Sequence, residues 1–302
     1  MNFSVTVLGS SSALPTSTRF LTAHLLNSNE RFFLIDCGEG TQIQLRKYHI
    51  RFSKINHIFI SHLHGDHYFG LFGLISSFAL LGRKIDLHIF AHSRLQEILE
   101  FQFKDYSLGF NLLFHAIQPD FEGILFEDKQ ITVHTFPLKH RIASNGFVFK
   151  EKQKDRNILK EMIPYYKLGI KEIVKIKKGE DFITPDGRTI PNNHLTKDPP
   201  RVRSYAFCSD TVFDKSIVKH ITGVDLLYHE STFLKADKER AHQTGHSTSD
   251  EAALIAKLAG VRKLIIGHFS SSYKDLSVFE REAKEIFAHS EIVTEGKTFQ
   301  IE

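Results

Sequence analysis

Residues 62 to 67 of the chain read His62-Leu63-His64-Gly65-Asp66-His67, directly after the apolar run Ile58-Phe59-Ile60. Three imidazoles and one carboxylate within six residues cannot all bind one small ion, so the spacing indicates that one pair binds one metal ion and the other pair a second. Two metal ions in one site are typical of hydrolytic enzymes. The hexapeptide therefore predicts a two-metal hydrolase whose remaining ligands come from elsewhere in the chain.

Candidates for the remaining ligands follow other strand-like runs. They are His140 after the run that ends at Phe136, Asp210 after Cys208, and His268 after Ile266. Ligand sites collect at strand ends in layered α/β proteins. Taken singly, each candidate also has a structural explanation, as a surface loop residue, a helix cap or a core histidine. Together with the hexapeptide they supply five His and two Asp, enough for two ions with one shared acid and a position open for water.

The composition predicts a soluble globular protein. The chain has 302 residues, of which 41% are hydrophobic and 25% charged, enough for a substantial core. Residues 1–7 show no secretory signal, and the longest apolar run, 69–82, is too short to span a bilayer and predicts a buried helix. The cysteines, Cys37 and Cys208, are expected to be buried thiols. We therefore expect a cytoplasmic protein that does not enter a membrane.

Short β-branched and aromatic runs alternate with helical patterns along the chain. The predicted strands are 5–8, 32–35, 55–60, 87–90, 131–136, 204–208, 226–228 and 263–266. The clearest predicted helix is Ser249–Ala259, with a capping box of Thr248 and Glu251 and a stop at Gly260. Other predicted helices cover 67–81, 93–103 and 276–288. This alternation indicates an α/β layered sandwich, with 150–200 as its insertion.

One segment carries the excess positive charge. The chain has a formal net charge of +4, but residues 150–178 contain ten Lys or Arg against four acids, a net charge of +6 that leaves −2 for the rest. Two interpretations stay open: a solvated face, or a surface that grips a polyanion. Pro164, Tyr165, Tyr166 and Gly169 interrupt the helical pattern, which favours a protruding arm.

Several further blocks repeat a family pattern. They are GSSSALPT at 9–16, LIDCGEGTQ at 34–42, SHLHGDH at 61–67, PPR at 199–201, Asp210-Thr211, HEST at 229–232, GHST at 245–248 and GHFSS at 267–271. With all of these blocks present, the chain resembles the ribonuclease Z family, which comprises the tRNA 3′-processing endonucleases of the metallo-β-lactamase-fold superfamily. The resemblance implies a four-layer αββα sandwich in which residues 1–302 form a single hydrolase domain and 150–178 an inserted arm.

The resemblance also assigns roles. His62, His64 and His140 would bind one ion, Asp66, His67 and His268 the other, and Asp210 would bridge both. The ions would be zinc, with manganese or iron as alternatives. Asp66 would also accept a proton from the attacking water, and His246, oriented by Glu230, would donate one to the leaving group. The arm lysines expected to contact phosphates are Lys152, Lys167, Lys171, Lys175 and Lys177.

The implied activity is removal of the 3′ trailer from precursor tRNA near the discriminator nucleotide, by a hydroxide that two metals activate, in a homodimer. The arm differs from the family pattern at one place, where this chain has Ile163-Pro164-Tyr165 and relatives often have a Gly-Pro pair. Two alternative functions stay open. A small-molecule phosphodiesterase, esterase or lactonase of the same fold needs no basic arm, and a noncatalytic RNA-binding protein needs no ligand set.

Overall fold

The computed structural model describes residues 2–302 and consists of alternating strands and helices. The strands are β1 (Phe3–Gly9), β2 (Ala23–Ser28), β3 (Arg31–Ile35), β4 (Ile55–Phe59), β5 (Leu87–His92), β6 (Leu112–Ile117), β7 (Gly123–Glu127), β8 (Ile131–Leu138), β9 (Ser144–Glu151), β10 (Asn157–Ile158), β11 (Phe182–Ile183), β12 (Thr189–Ile190), β13 (Thr196–Lys197), β14 (Ser204–Cys208), β15 (Leu226–Glu230), β16 (Lys263–Gly267), β17 (Ser290–Ile292) and β18 (Thr298–Gln300). The α-helices are α1 (Thr41–Lys47), α2 (Gly65–Tyr68), α3 (Gly70–Leu80), α4 (Arg94–Gln102), α5 (Met162–Tyr165), α6 (Ile170–Lys177), α7 (Asn192–Leu195), α8 (Val218–Ile221), α9 (Lys238–Thr244), α10 (Ser249–Ala259) and α11 (Ser277–Ile286).

Two seven-stranded sheets organise most of the chain. The first has the order β18-β1-β2-β3-β4-β5-β6 and the second the order β17-β16-β15-β14-β9-β8-β7. In the first sheet β3, β4, β5 and β6 run parallel, as do β14, β15, β16 and β17 in the second. Parallel neighbours place the carboxyl ends of their strands at one edge of a sheet, where ligands can gather.

The sheets pack face to face through aromatic side chains. The Phe59 ring of the first sheet lies 5.2 Å from the Phe149 ring of the second, and His24 lies 4.3 Å from Tyr228. On the other face of the first sheet, Ile58 and Ile89 join a core cluster with Leu74 of α3. Helices α10 and α11 contact the second sheet. The layers are therefore helix, sheet, sheet, helix, which is the four-layer order that the family resemblance implied.

The secondary-structure predictions hold, with one correction. All eight predicted strands are present, and Ser249–Ala259 is a helix with its capping box and with Gly260 in the left-handed conformation. The predicted helix 67–81 is instead divided at Phe69 into α2 and α3. The apolar run 69–82 is buried on one face only, because Leu80 keeps 89% of its surface exposed. No helix within residues 2–302 has the length and apolarity needed to cross a bilayer.

The chain divides into two compact units. Unit 1 contains residues 1–126, 133–149 and 203–302, and unit 2 contains residues 127–132 and 150–202. Unit 2 has its own small core of Leu168, Ile176 and Leu195, with two-stranded sheets β10-β13 and β11-β12. Ile173 and Ile176 of α6 pack in this core, whereas Ile170, Val174, Lys171 and Lys175 of the same helix are exposed.

Candidate metal centre

The seven candidate ligands lie where four strands end. The hexapeptide follows β4 of the first sheet, whereas His140, Asp210 and His268 follow β8, β14 and β16 of the second. Residues distant in the chain meet there, since His268 Nε2 lies 3.3 Å from Asp66 Oδ2 across 202 positions. The strand-end signal in the sequence thus predicted correctly which side chains converge.

Backbone contacts hold the hexapeptide loop in place. The Cys37 amide donates to the His67 carbonyl at 2.7 Å, and the Gly70 amide donates to the Cys37 carbonyl at 2.9 Å. The two segments approach so closely that a Cβ at Gly70 would lie 2.1 Å from the Gly38 carbonyl oxygen. Any side chain there would force the loop to move, which explains glycine at this position.

Four donor atoms form a first group around His64. His64 Nδ1 lies 3.1 Å from His62 Nε2 and 3.2 Å from His140 Nε2. Asp210 Oδ2 completes the group, at 3.5 Å from His62 Nε2. All four ligand atoms lie within 4.8 Å of one another. These are the residues of the first ligand set that the family resemblance implied, with Asp210 as the bridging residue.

A second group shares Asp210 with the first. His67 Nε2 lies 3.2 Å from His268 Nε2 and 3.3 Å from Asp66 Oδ2. The other carboxylate oxygen of Asp210, Oδ1, lies 3.2 Å from His268 Nε2. These four atoms are also within 4.8 Å of one another. Asp210 thus presents one oxygen to each group, as a bridging ligand would.

The hydrogen bonds behind the rings show that these atoms carry lone pairs. Nδ1 of His140 donates to the Gly245 carbonyl at 2.7 Å, and Nδ1 of His67 donates to Asp36 Oδ2 at 2.7 Å. A neutral imidazole with a proton on Nδ1 has its lone pair on Nε2. In its neutral form each ring therefore directs the Nε2 lone pair towards carboxylate oxygens, and Asp210 Oδ1 is buried without a hydrogen-bond partner within residues 2–302. A cation placed between these rings and carboxylates would accept their lone pairs, so the residues fit a metal-binding site.

Ionisation favours the same conclusion. Burial lowers the pKa of His64 and of His140 to about 4, which keeps both rings neutral. Burial acts to raise the pKa of Asp66, but the neighbouring His67 and His268 hold it well below its usual range. Burial acts to lower the pKa of His67, but the carboxylates of Asp210, Asp66 and Asp36 raise it well above its usual value. Because neutral imidazoles and ionised carboxylates are the forms that bind metals, a metal ion at His67 displaces a proton.

His246 stands beside the ligand groups with a carboxylate behind it. Its Nδ1 lies 3.1 Å from Glu230 Oε1, and its ring centroid lies 5.1 Å from that of His140. Burial lowers the pKa of His246, but the Glu230 and Asp210 carboxylates outweigh burial and raise it to about 9. Glu230 is fully buried and also accepts from the Ser247 amide at 2.9 Å. The pair therefore presents a protonated imidazole with a fixed orientation.

Donor atoms of Glu230, His246 and His268 form a third close group. We interpret it as a hydrogen-bond network, because Thr232 Oγ1 donates to Glu230 Oε2 at 2.8 Å and accepts from His268 Nδ1 at 2.9 Å. Thr232 thereby fixes the His268 ring. His268 itself has a φ of 64°, a left-handed conformation that turns its side chain from the end of β16 into the centre.

The sequence reasoning assigned no role to Asp36 or Thr232. Asp36 is fully buried, accepts from the Ser61 amide at 2.7 Å and from His67, and has a φ of 55°. Such outer carboxylates orient ligating histidines. The signal that could have found it is the one used for the ligands, since Asp36 follows directly after β3.

An open cleft of about 480 Å³ gives access to the centre. Asp66, Asp210 and His246 line it together with two arginines, Arg141 and Arg240. These cations give the entrance a positive charge, which attracts a phosphate-bearing substrate.

The predicted arm lysines all lie in unit 2. Lys167, Lys171 and Lys175 are exposed, whereas Lys177 is half-buried. Lys152 forms an ion pair with Glu127 at 2.6 Å, which partly neutralises its charge. Their contact with a nucleic acid stays a prediction.

Comparisons with known proteins agree with this geometry. A family model described as anti-Pycsar protein Apyc1 matches residues 3–159. The ribonuclease Z of Bacteroides fragilis is 47% identical, over 97% of this chain and 97% of that protein. The crystal structure of human tRNase Z, short form, is similar with a TM-score of 0.72 and 26% identity, covering 99% of both chains. A metallo-β-lactamase-fold protein of Bacillus subtilis has a TM-score of 0.71 at 20% identity, over 99% of this chain and 100% of that one, which confirms the expected fold.

Proposed function

The chain belongs to the ribonuclease Z family, and on that premise we propose that it is a tRNA 3′-processing endoribonuclease. Residues 3–159 also belong to the family of the anti-Pycsar protein Apyc1, whose model they match. The enzyme removes the 3′ trailer from precursor tRNA by hydrolysing a phosphodiester bond near the discriminator nucleotide. The observation that carries the proposal is the pair of donor groups that share Asp210. The phosphodiester substrate fits the arginine-rimmed cleft around them.

The seven ligands would hold two divalent metal ions. Bound there, the ions lower the pKa of a water molecule and stabilise negative charge on the phosphate. Asp66 remains ionised, which suits it to hold a cation and makes it a weak proton acceptor. Five imidazoles among seven ligands favour zinc, with iron and manganese as alternatives. Metal analysis of the purified protein tests the choice, and a predominance of magnesium or calcium would contradict it.

His246 would deliver the proton that the leaving group needs. Hydrolysis breaks the bond between phosphorus and the 3′ oxygen of the tRNA, and that oxygen must be protonated to leave as a hydroxyl. Because Nδ1 faces Glu230, the proton on Nε2 is the one available to substrate. Glu230 keeps the imidazole charged and oriented until the proton transfers.

The basic surface of unit 2 would supply affinity for the folded tRNA. Lys167, Lys171 and Lys175 are exposed and offer sequence-independent contacts to phosphates. This surface favours precursor tRNA over the alternative, a small phosphodiester, lactone or aryl ester, since a small substrate needs no second region of charge. In this proposal residues 150–178 act as the tRNA-binding arm.

Two parts of the proposal rest on family resemblance, a homodimer and a cytoplasmic location. The buried free thiols of Cys37 and Cys208 are compatible with a reducing compartment. Analytical ultracentrifugation tests the dimer, and a monomer at micromolar concentration would contradict it.

The experiment that tests the function is cleavage of a 3′-extended tRNA by purified protein, with and without a chelator. We expect one discrete cut beside the discriminator nucleotide, a 3′ hydroxyl on the tRNA product, and loss of the cut with the chelator. Chelator-resistant cleavage, or hydrolysis of small diesters with no cleavage of the tRNA, would reject the proposal.

A further inference from the structure

A side pocket of about 370 Å³ lies next to the catalytic cleft, and the two share His64 as a lining residue. Leu63, Ile98 and Ile142 give the pocket apolar walls, and Tyr68, His92 and Arg94 give it polar groups. No acidic residue lines it. A chain-like substrate that crosses the cleft past His64 would therefore enter a pocket with apolar walls and a positive charge.

Two polar groups of this pocket, the Tyr68 hydroxyl and the Arg94 guanidinium, lack partners within residues 2–302. Arg94, the first residue of α4, is exposed and forms no ion pair within residues 2–302. The Tyr68 side chain is held by its ring contacts with Phe69 and Phe72, yet its hydroxyl makes no hydrogen bond in that same range. An arginine fork suits a phosphate, and a phenol hydroxyl suits a phosphate or a ribose hydroxyl.

The chemistry of the cut decides which part of the RNA lies there. The leaving 3′ oxygen belongs to the tRNA, and the phosphate stays on the 5′ end of the trailer. His246, the proton donor to that oxygen, lines the cleft but not the side pocket. The tRNA end is therefore on the His246 side of the metal centre, and the strand that continues past His64 is the trailer.

Resting on the proposed function, we infer that the side pocket holds the first nucleotide of the trailer. Arg94 binds the phosphate on the 3′ side of this nucleotide, Tyr68 binds its phosphate or ribose hydroxyl, and the apolar walls contact its base. A volume of about 370 Å³ lies at the lower end of the range for small-molecule sites and admits one nucleotide. Leu63, Ile98 and Ile142 offer no side-chain hydrogen bonds to a base edge, which leaves His92 as the imidazole of the outer wall that can contact one.

The test compares two RNA substrates that differ only beyond the scissile phosphate. One is a tRNA with a trailer of several nucleotides, and the other ends in a methyl phosphodiester at the same position. The variants are Arg94→Ala and Tyr68→Phe, with Lys257→Ala as a control that removes an exposed cation from α10. Circular dichroism checks folding, and the hydrolysis of bis(p-nitrophenyl) phosphate checks the metal centre.

We expect Arg94→Ala to raise KM for the trailer substrate about tenfold, because a charged hydrogen bond is lost. Tyr68→Phe should raise it roughly threefold. Both variants should match the wild type on the methyl diester and on the small diester, and Lys257→Ala should match it on every substrate.

The outcomes separate this inference from the proposed function. If the wild type fails to cut either RNA, the proposed function falls and the inference falls with it. If the wild type cuts both and Arg94→Ala is unchanged on both, the pocket does not hold the trailer. An equal loss on both RNAs would assign Arg94 to the tRNA body and also overturn the inference.

Discussion

The metal centre of unit 1 and the basic surface of unit 2 use charge in different ways. In the centre, nearly every charged side chain is buried and fixed by a second residue, as His67 is by Asp36. In unit 2, Lys167, Lys171 and Lys175 are exposed. Unit 2 contains fourteen Lys or Arg against ten Asp or Glu, so it carries the entire +4 charge of the chain and unit 1 is neutral.

This difference indicates how each region tolerates change. A ligand atom displaced by one ångström leaves a coordination position empty, whereas a lysine displaced by several ångströms still attracts a phosphate. Substitutions of the metal ligands should therefore abolish activity on every substrate. Substitutions in unit 2 should weaken activity gradually and only on tRNA.

The largest effect is expected for His64→Ala and Asp66→Ala. Each removes a ligand, so hydrolysis of precursor tRNA and of bis(p-nitrophenyl) phosphate should both fall to background, while thermal unfolding stays close to that of the wild type. Turnover assays and a melting curve measure this. A folded variant with undiminished turnover would refute the ligand assignment.

The next effect separates proton donation from metal binding within the centre. His246→Asn should slow cleavage of precursor tRNA by about 10²- to 10⁴-fold, because the 3′ oxygen then leaves without a proton. The same variant should retain most activity on bis(p-nitrophenyl) phosphate, since nitrophenolate leaves unprotonated. The ratio of kcat on the two substrates measures the effect, and an equal loss on both would argue against the donor role.

A smaller effect is expected one residue further out, at Asp36. Asp36→Asn keeps the shape of the side chain but removes the charge behind His67, so metal affinity should fall by about 10- to 100-fold. Competition with a coloured chelator measures it. Asp198, an exposed carboxylate of unit 2, provides a matched control as Asp198→Asn. Equal affinities in the two variants would mean that Asp36 does not support the ligand.

The smallest effect is expected in unit 2. The triple substitution Lys171→Glu, Lys175→Glu and Lys177→Glu should weaken binding of precursor tRNA on the order of tenfold at physiological salt. It should also make the affinity for tRNA depend less steeply on salt concentration. Hydrolysis of the small diester should not change. Lys104→Glu, an exposed charge reversal in unit 1, serves as the control. If the triple variant loses both activities equally, the basic surface is not a binding region.

The sequence predicted the centre better than the arm, for a physical reason. Metal chemistry restricts ligands to a few residue types, and strand ends restrict their place, so His140, Asp210 and His268 were found from strand-like runs alone. Asp36 also follows a strand, but its role was missed because it depends on a hydrogen bond to His67, and this contact forms only when the two loops come together in the fold. The division between α2 and α3 at Phe69 was missed because apolar residues continue through it without interruption.

The boundaries of unit 2 depend on contacts that no local pattern contains. The sequence placed the basic arm at 150–178 within an insertion at 150–200, close to the compact segment 150–202, but it gave no sign that the turn between β7 and β8, residues 127–132, belongs to the same unit. The Lys152–Glu127 ion pair joins these distant segments. Charge counting identified the basic stretch but gave no information on its packing partners.

Metal stoichiometry tests the central claim most directly. Plasma mass spectrometry of the purified wild type, with protein concentration from amino-acid analysis, should give two metal ions per chain. Asp210→Ala should lose both under the same dialysis, because it removes the ligand that the two groups share. At most one ion in the wild type, or two ions retained by a folded Asp210→Ala variant, would contradict a dinuclear centre bridged by this carboxylate.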